Sequence, residues 1–146
     1  MPQIQFPESP RKRLVKTLLV DNDRAMLQHC VARIGGRQPL TIATSKALAL
    51  QLLRHGHHFE VVVACERLAD GSGLALLDDI QSKWPNLVRV FCTERQRLAM
   101  VRNRLSAFRL GYTLTYPLKP VKLEMMLLQL ARARTASTGR LRALLG

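Results

Sequence analysis

Asp21-Asn22-Asp23 follows directly on the apolar run from Leu14 to Val20. There a buried segment empties into a polar turn, the kind of strand end at which functional side chains gather. Other groups that can do chemistry stand at the same kind of boundary, just past an apolar stretch: Thr44, Cys65-Glu66, Thr93-Glu94 and Lys119-Pro120. A thiol becomes a reactive centre when a nearby cation lowers its pKa. A hydroxyl and an ammonium are donors to an anion. His55, His57 and His58 also cluster, but Glu60 is the one further ligand type close by, and a metal needs several converging ligands. A solvated loop ending a helix is the favoured reading there.

These groups act together only if the chain brings the boundaries to one place. Leu14 to Val20 reads as a buried strand, and Asp23 as the N-cap of the following helix. Met26, Leu27, Cys30, Val31 and Ile34 recur at helical spacing until Gly35-Gly36 stops that helix. Pro39 to Ala43 predicts a second strand, and Ser45 caps an Ala/Leu-rich helix reaching about Arg54. Phe59 to Cys65 is β-branched and apolar enough to be central in a parallel sheet. The loop from Ala69 to Gly73 leads into a helix over Leu74 to Trp84, and Val88 to Cys92 predicts a fourth strand. A helix over Thr93 to Leu110, a strand over Tyr112 to Tyr116 and a helix over Lys122 to Arg134 complete the series. Residues 1–15 read as a flexible basic arm, 16–134 as the domain and 135–146 as a loose basic tail. Strands alternating with helices through short loops predict a parallel sheet covered on both faces. In such sheets the functional crevice lies outside the carboxyl ends of the strands, where the groups named above fall.

Length and composition narrow the classes. A chain of 146 residues, 47% apolar, suits one domain with a real core. No apolar run approaches the ~20 residues that span a bilayer, and no signal-peptide pattern follows Arg11-Lys12-Arg13. Three cysteines make no disulfide framework, so a cytoplasmic location is expected. Cys65 and Cys92 end neighbouring strands, which admits a redox pair, with inert packing the favoured reading. The net charge is +13, and it is uneven: residues 1–80 hold 10 basic and 8 acidic side chains, residues 81–146 hold 13 and 2. Such a gradient aims one part of the molecule at an acidic partner. Arg95, Arg97, Arg102, Arg104 and Arg109 flank the apolar stripe Leu98, Val101, Leu105 and Phe108 of the fourth helix. They are either stems covering the core edge or an anion-binding ridge.

From Lys16 to Arg134 the chain resembles the receiver domain of two-component response regulators. LLVDND (Leu18 to Asp23) resembles that family's first strand ending, with Asp21 at the first metal-holding acid. Thr93 stands at the phosphate-reading hydroxyl, Tyr116 at the switch aromatic and Lys119-Pro120 at the lysine and its cis-proline. Asp70-Gly71-Ser72-Gly73 is similar to the loop before the third helix. The resemblance implies a flavodoxin-like α/β fold of strand order 2-1-3-4-5, with Asp21, Asn22, Cys65, Thr93 and Lys119 around one pocket. Counting back from Gly73 places Cys65 at the phosphoacceptor, and Asn22 falls at the second acid. Two of three carboxylates are then gone, so magnesium has little reason to bind. Glu66, the neighbour of Cys65, is expected to point away from the pocket.

The resemblance therefore implies a degenerate, non-enzymatic, stand-alone receiver in bacterial signalling, acting by protein contacts and without phosphorylation, with no cofactor. Its interaction face would be the fourth helix, fifth strand and fifth helix, with Arg95, Arg97, Arg102, Arg104, Arg109 and Lys122, meeting an acidic protein or a second copy. A small basic nucleic-acid-associated protein on the same scaffold is the alternative.

Overall fold

A computed structural model describes the backbone of residues 14–107 and 112–145 and the side chains of 14–101 and 112–133. Along the chain run β1 (Thr17–Val20), α1 (Arg24–Ile34), β2 (Leu40–Ala43), α2 (Lys46–Arg54), β3 (Val61–Cys65), β4 (Arg67–Leu68), β5 (Gly71–Ser72), α3 (Gly73–Lys83), β6 (Val88–Glu94), α4 (Arg95–Ala107), β7 (Tyr112–Tyr116) and α5 (Pro120–Leu145). The main sheet has the order β2-β1-β3-β6-β7, with every pair parallel. Because β4 and β5 form a separate two-stranded antiparallel ribbon, the five long strands stand in the order 2-1-3-4-5. The fold is a flavodoxin-like α/β sandwich.

Alternation along the strands divides the core into two layers. Leu19, Val61, Val63, Cys65, Val90 and Cys92 pack with Leu27 and Cys30 of α1 and Leu123 and Leu127 of α5. Leu18, Val20, Val62, Ala64 and Phe91 pack with Ala49 of α2, Leu76 and Ile80 of α3 and Val101 of α4. The central strand β3 is buried over its whole length, which its unbroken VVVAC run requires.

Three helices begin on side-chain caps that the sequence announces. Asp23 accepts from the Met26 N–H, Ser45 from Leu48 and Ser72 from Ala75, each at 3.1 Å. A fourth cap comes from outside its own helix. Asp70, in the turn between β4 and β5, accepts from the Lys46 and Ala47 N–H groups at 2.6 and 3.0 Å and so ties that ribbon to the start of α2. Gly73 opens α3 with its N–H donated to the Glu66 carbonyl at 2.9 Å. A Cβ there would lie 2.0 Å from the Cys65 carbonyl oxygen, so the approach requires glycine.

Several boundaries differ from the sequence reading. β6 continues through Thr93 and Glu94 because they pair with Thr115 and Tyr116 of β7, and α4 begins two residues later than its periodicity predicts. The 69–73 loop contains part of the β4–β5 ribbon. α5 continues to Leu145 through the segment read as a loose tail. Pro120 suits the first helical position, and Gly139 inside the helix costs only ~1 kcal/mol relative to alanine. Val15, assigned above to the arm, is buried and donates its N–H to Gln38 Oε1 at 2.9 Å. The rest of that arm, residues 1–13, lies outside the described residues.

Candidate functional site

The carboxyl ends of β1, β3, β6 and β7 enclose a cleft of about 250 Å³. Asp21, the first residue past β1, is 2% exposed. Burial pushes its pKa up, opposed by hydrogen bonds from the Asp23 and Asn22 backbone and the Cys65 side chain. Its Oδ2 has no hydrogen-bond partner. Asn22 and Asp23 are exposed on the rim.

Cys65 and Cys92 sit on the cleft floor as direct register partners of adjacent strands. Parallel register sends paired side chains to the same side of the sheet. Both sulfurs therefore share one core layer with Cys30. The hydrogen bond to Cys92, burial and the Asp21 charge all hold the Cys65 thiol protonated far above its ordinary range. Burial raises Cys30 to about 11. Every influence on these two thiols raises the pKa, so both cysteines are poor nucleophiles.

Glu66 corrects an expectation. Its carboxylate lines the cleft and accepts the Thr93 hydroxyl at 2.5 Å and the Arg97 guanidinium at 2.5 and 3.0 Å. Strand alternation no longer governs it, because β3 ends at Cys65. Arg97 foremost, with Thr93, holds its carboxyl below the usual range.

Lys119 corrects another. β7 ends at Tyr116, and the cis peptide bond joins Tyr116 to Pro117, not Lys119 to Pro120. The turn thus falls three residues early and carries Lys119 out to an exposed position at the start of α5, away from the cleft lining. Tyr116 holds the strand tip instead. Its hydroxyl lies 3.5 Å from Asp23 Oδ2, and burial followed by the Asp21 and Asp23 charges pushes its pKa up to about 12. The structure brings together Asp21, Asn22, Cys65, Thr93 and Tyr116; it does not bring Lys119.

Of the basic residues singled out above, Arg95 and Lys122 are exposed. Arg97 is exposed too and pairs with Glu66 at the cleft edge. The side chains of Arg102 and Arg104, and Arg109 altogether, lie outside the described residues.

No protein-family model and no curated protein matches this sequence. Solved structures do match by shape. The signal receiver domain of an HD domain-containing protein from Pseudomonas fluorescens Pf-5 superposes with a TM-score of 0.73 at 23% identity, covering 88% of this chain and 94% of that one. A response regulator receiver domain protein (CheY-like) from Methanospirillum hungatei JF-1 gives 0.70 at 17% identity, covering 85% and 98%. The fold is that of a response-regulator receiver domain. A structure described as adenylate cyclase from Rhodopirellula baltica has a TM-score of 0.76 at 18% identity, covering 90% and 97%, so this receiver fold is shared under more than one functional name.

A receiver fold implies a magnesium ion at this cleft, and the donor set does not fit it. Asn22 is neutral, Cys65 is a soft, protonated thiol, and Glu66 is committed to Thr93 and Arg97. Among the described residues no three His, Cys, Asp or Glu side chains come together as a metal site requires.

Proposed function

We propose that this chain is a non-catalytic receiver module that transmits signals through protein contacts and accepts no phosphoryl group. The observation that carries the reading is Cys65 at the tip of β3, a buried thiol where the resemblance calls for an acceptor carboxylate. A thiol kept protonated by Cys92 and by burial is no substitute for that carboxylate. The position of Lys119 outside the cleft and the engagement of the Thr93 hydroxyl by Glu66 support the same reading.

Output then falls to a surface. α4, the edge strand β7 and α5 expose Met100, Tyr112 and Met125 beside the basic Arg95 and Lys122. Methionine, aromatic and arginine side chains are the types enriched at protein interfaces. An acidic protein surface, or a second copy through this face, is the occupant proposed. Three unbridged cysteines suit the cytoplasm.

Incubation with acetyl phosphate and magnesium tests the chemistry. The intact mass is expected to stay unchanged. A stoichiometric phosphoryl adduct would overturn the proposal and show that another carboxylate has taken the acceptor's role.

A further inference from the structure

The chain has ten acidic residues and a net charge of +13, yet four of the ten, Asp21, Asp23, Glu66 and Glu94, line this one cleft. Arg67 is the basic residue among the lining groups, and Arg97 neutralises Glu66 from the side. Asp21 and Asp23 face a cleft from which Lys119 is absent, and Glu94, which shares the Arg97 charge with Glu66, faces it from the β6 end.

A second observation points to a ligand. Asp21 is 2% exposed, and its Oδ2 has no donor of any kind. A buried carboxylate oxygen without a donor costs stability, and a cation entering the cleft relieves that cost. The lining carboxylates come from the ends of three different strands, and among the described residues no three His, Cys, Asp or Glu side chains come together for a metal ion. Separated acceptors suit a ligand with N–H donors at two ends. The volume, about 250 Å³, lies below the ~300–1,000 Å³ of drug-sized sites, so the ligand is short.

We propose that the cleft binds a small aliphatic diamine, one ammonium drawn to the Asp21–Asp23 wall and the other to Glu94, with the Tyr116 hydroxyl between as a neutral acceptor. This site does not depend on the docking face proposed above. It makes the module a receptor for an organic cation at the carboxyl ends of its strands.

Calorimetric titration with 1,4-diaminobutane tests it, with 1,4-butanediol as the uncharged match in length. Saturable binding of the diamine alone is expected, weakening as salt is raised. Asp21→Asn and Asp23→Asn should each weaken it by about tenfold or more, since each removes a charge of the binding wall. Asparagine still caps α1 at position 23, so that variant remains informative even if Asp21→Asn fails to fold. No saturable binding, equal binding of the diol, or unchanged affinity in Asp23→Asn would overturn the proposal.

Discussion

Asp21 carries its charge where burial opposes it, and that has a consequence for stability. Its folded-state pKa lies above the ordinary 3.8, with desolvation the largest cause. Folding therefore disfavours the carboxylate, and the penalty is present at neutral pH. As pH falls through the raised pKa the penalty shrinks, and below about 3.8 it is gone. Asp21→Asn keeps the size of the side chain and one acceptor oxygen without the charge. It should raise the melting temperature at pH 7 and lose that advantage in acid near pH 4; a lower melting temperature at pH 7 would contradict the account. Asp21, Asn22, Cys65 and Thr93 were legible in the sequence because each closes an apolar run, and the end of such a run is the end of a strand. Lys119 was misplaced for a physical reason. Which of Tyr116 and Lys119 occupies the tip of β7 depends on where the chain turns, and both Pro117 and Pro120 are credible turn residues.

Glu66 joins three elements at once: it follows β3, holds Thr93 at the end of β6 and holds Arg97 in the first turn of α4. α4 has no acidic residue in its first turn to complement its dipole, so this clasp is a main anchor of its start. Glu66→Gln should speed amide exchange over residues 95–101 while the strands β1 and β3 keep their protection. Arg97 lowers the Glu66 pKa from 4.5, which fixes the sign of the pH effect. The clasp contributes fully above about pH 4.5 and is lost as pH falls through the lowered value. Loosening of α4 confined to alkaline pH would refute this. A second element-scale test concerns Gly73. Any Cβ there meets the Cys65 carbonyl of the backbone, so Gly73→Ala must shift α3 or the β3 tip, at a cost of about 1–3 kcal/mol. Denaturant unfolding measures it, and a neutral result would mean that the two segments part freely. The parallel sheet covered on both faces was readable from the alternation of strands and helices, and its strand order from the family resemblance; the clasp was not, because it forms between residues 27 and 31 positions apart.

At the scale of the whole molecule, charge is sorted by position. Acidic groups gather at the cleft, and the basic excess lies in residues 81–146, with 13 basic side chains against 2 acidic. This distribution supports the docking proposed for α4, β7 and α5, since complementary potentials chiefly set encounter rate and partner choice. Arg95 and Lys122 are exposed there, and surface substitutions typically change stability within ~0.5 kcal/mol. Reversing both, as Arg95→Glu with Lys122→Glu, should leave thermal unfolding almost unchanged and strongly weaken capture of an acidic protein partner. Marked unfolding would instead make these residues structural. The same loss would follow if the partner were a nucleic acid, so duplex and single-stranded DNA must be titrated directly at two salt concentrations. Phosphate contacts release counterions, and a sequence-independent attraction to a +13 protein therefore collapses as salt rises. Binding confined to low salt would be that attraction, leaving the protein-docking reading in place. Micromolar or tighter binding near physiological salt would transfer the basic face to nucleic acid, with the receiver scaffold as its carrier.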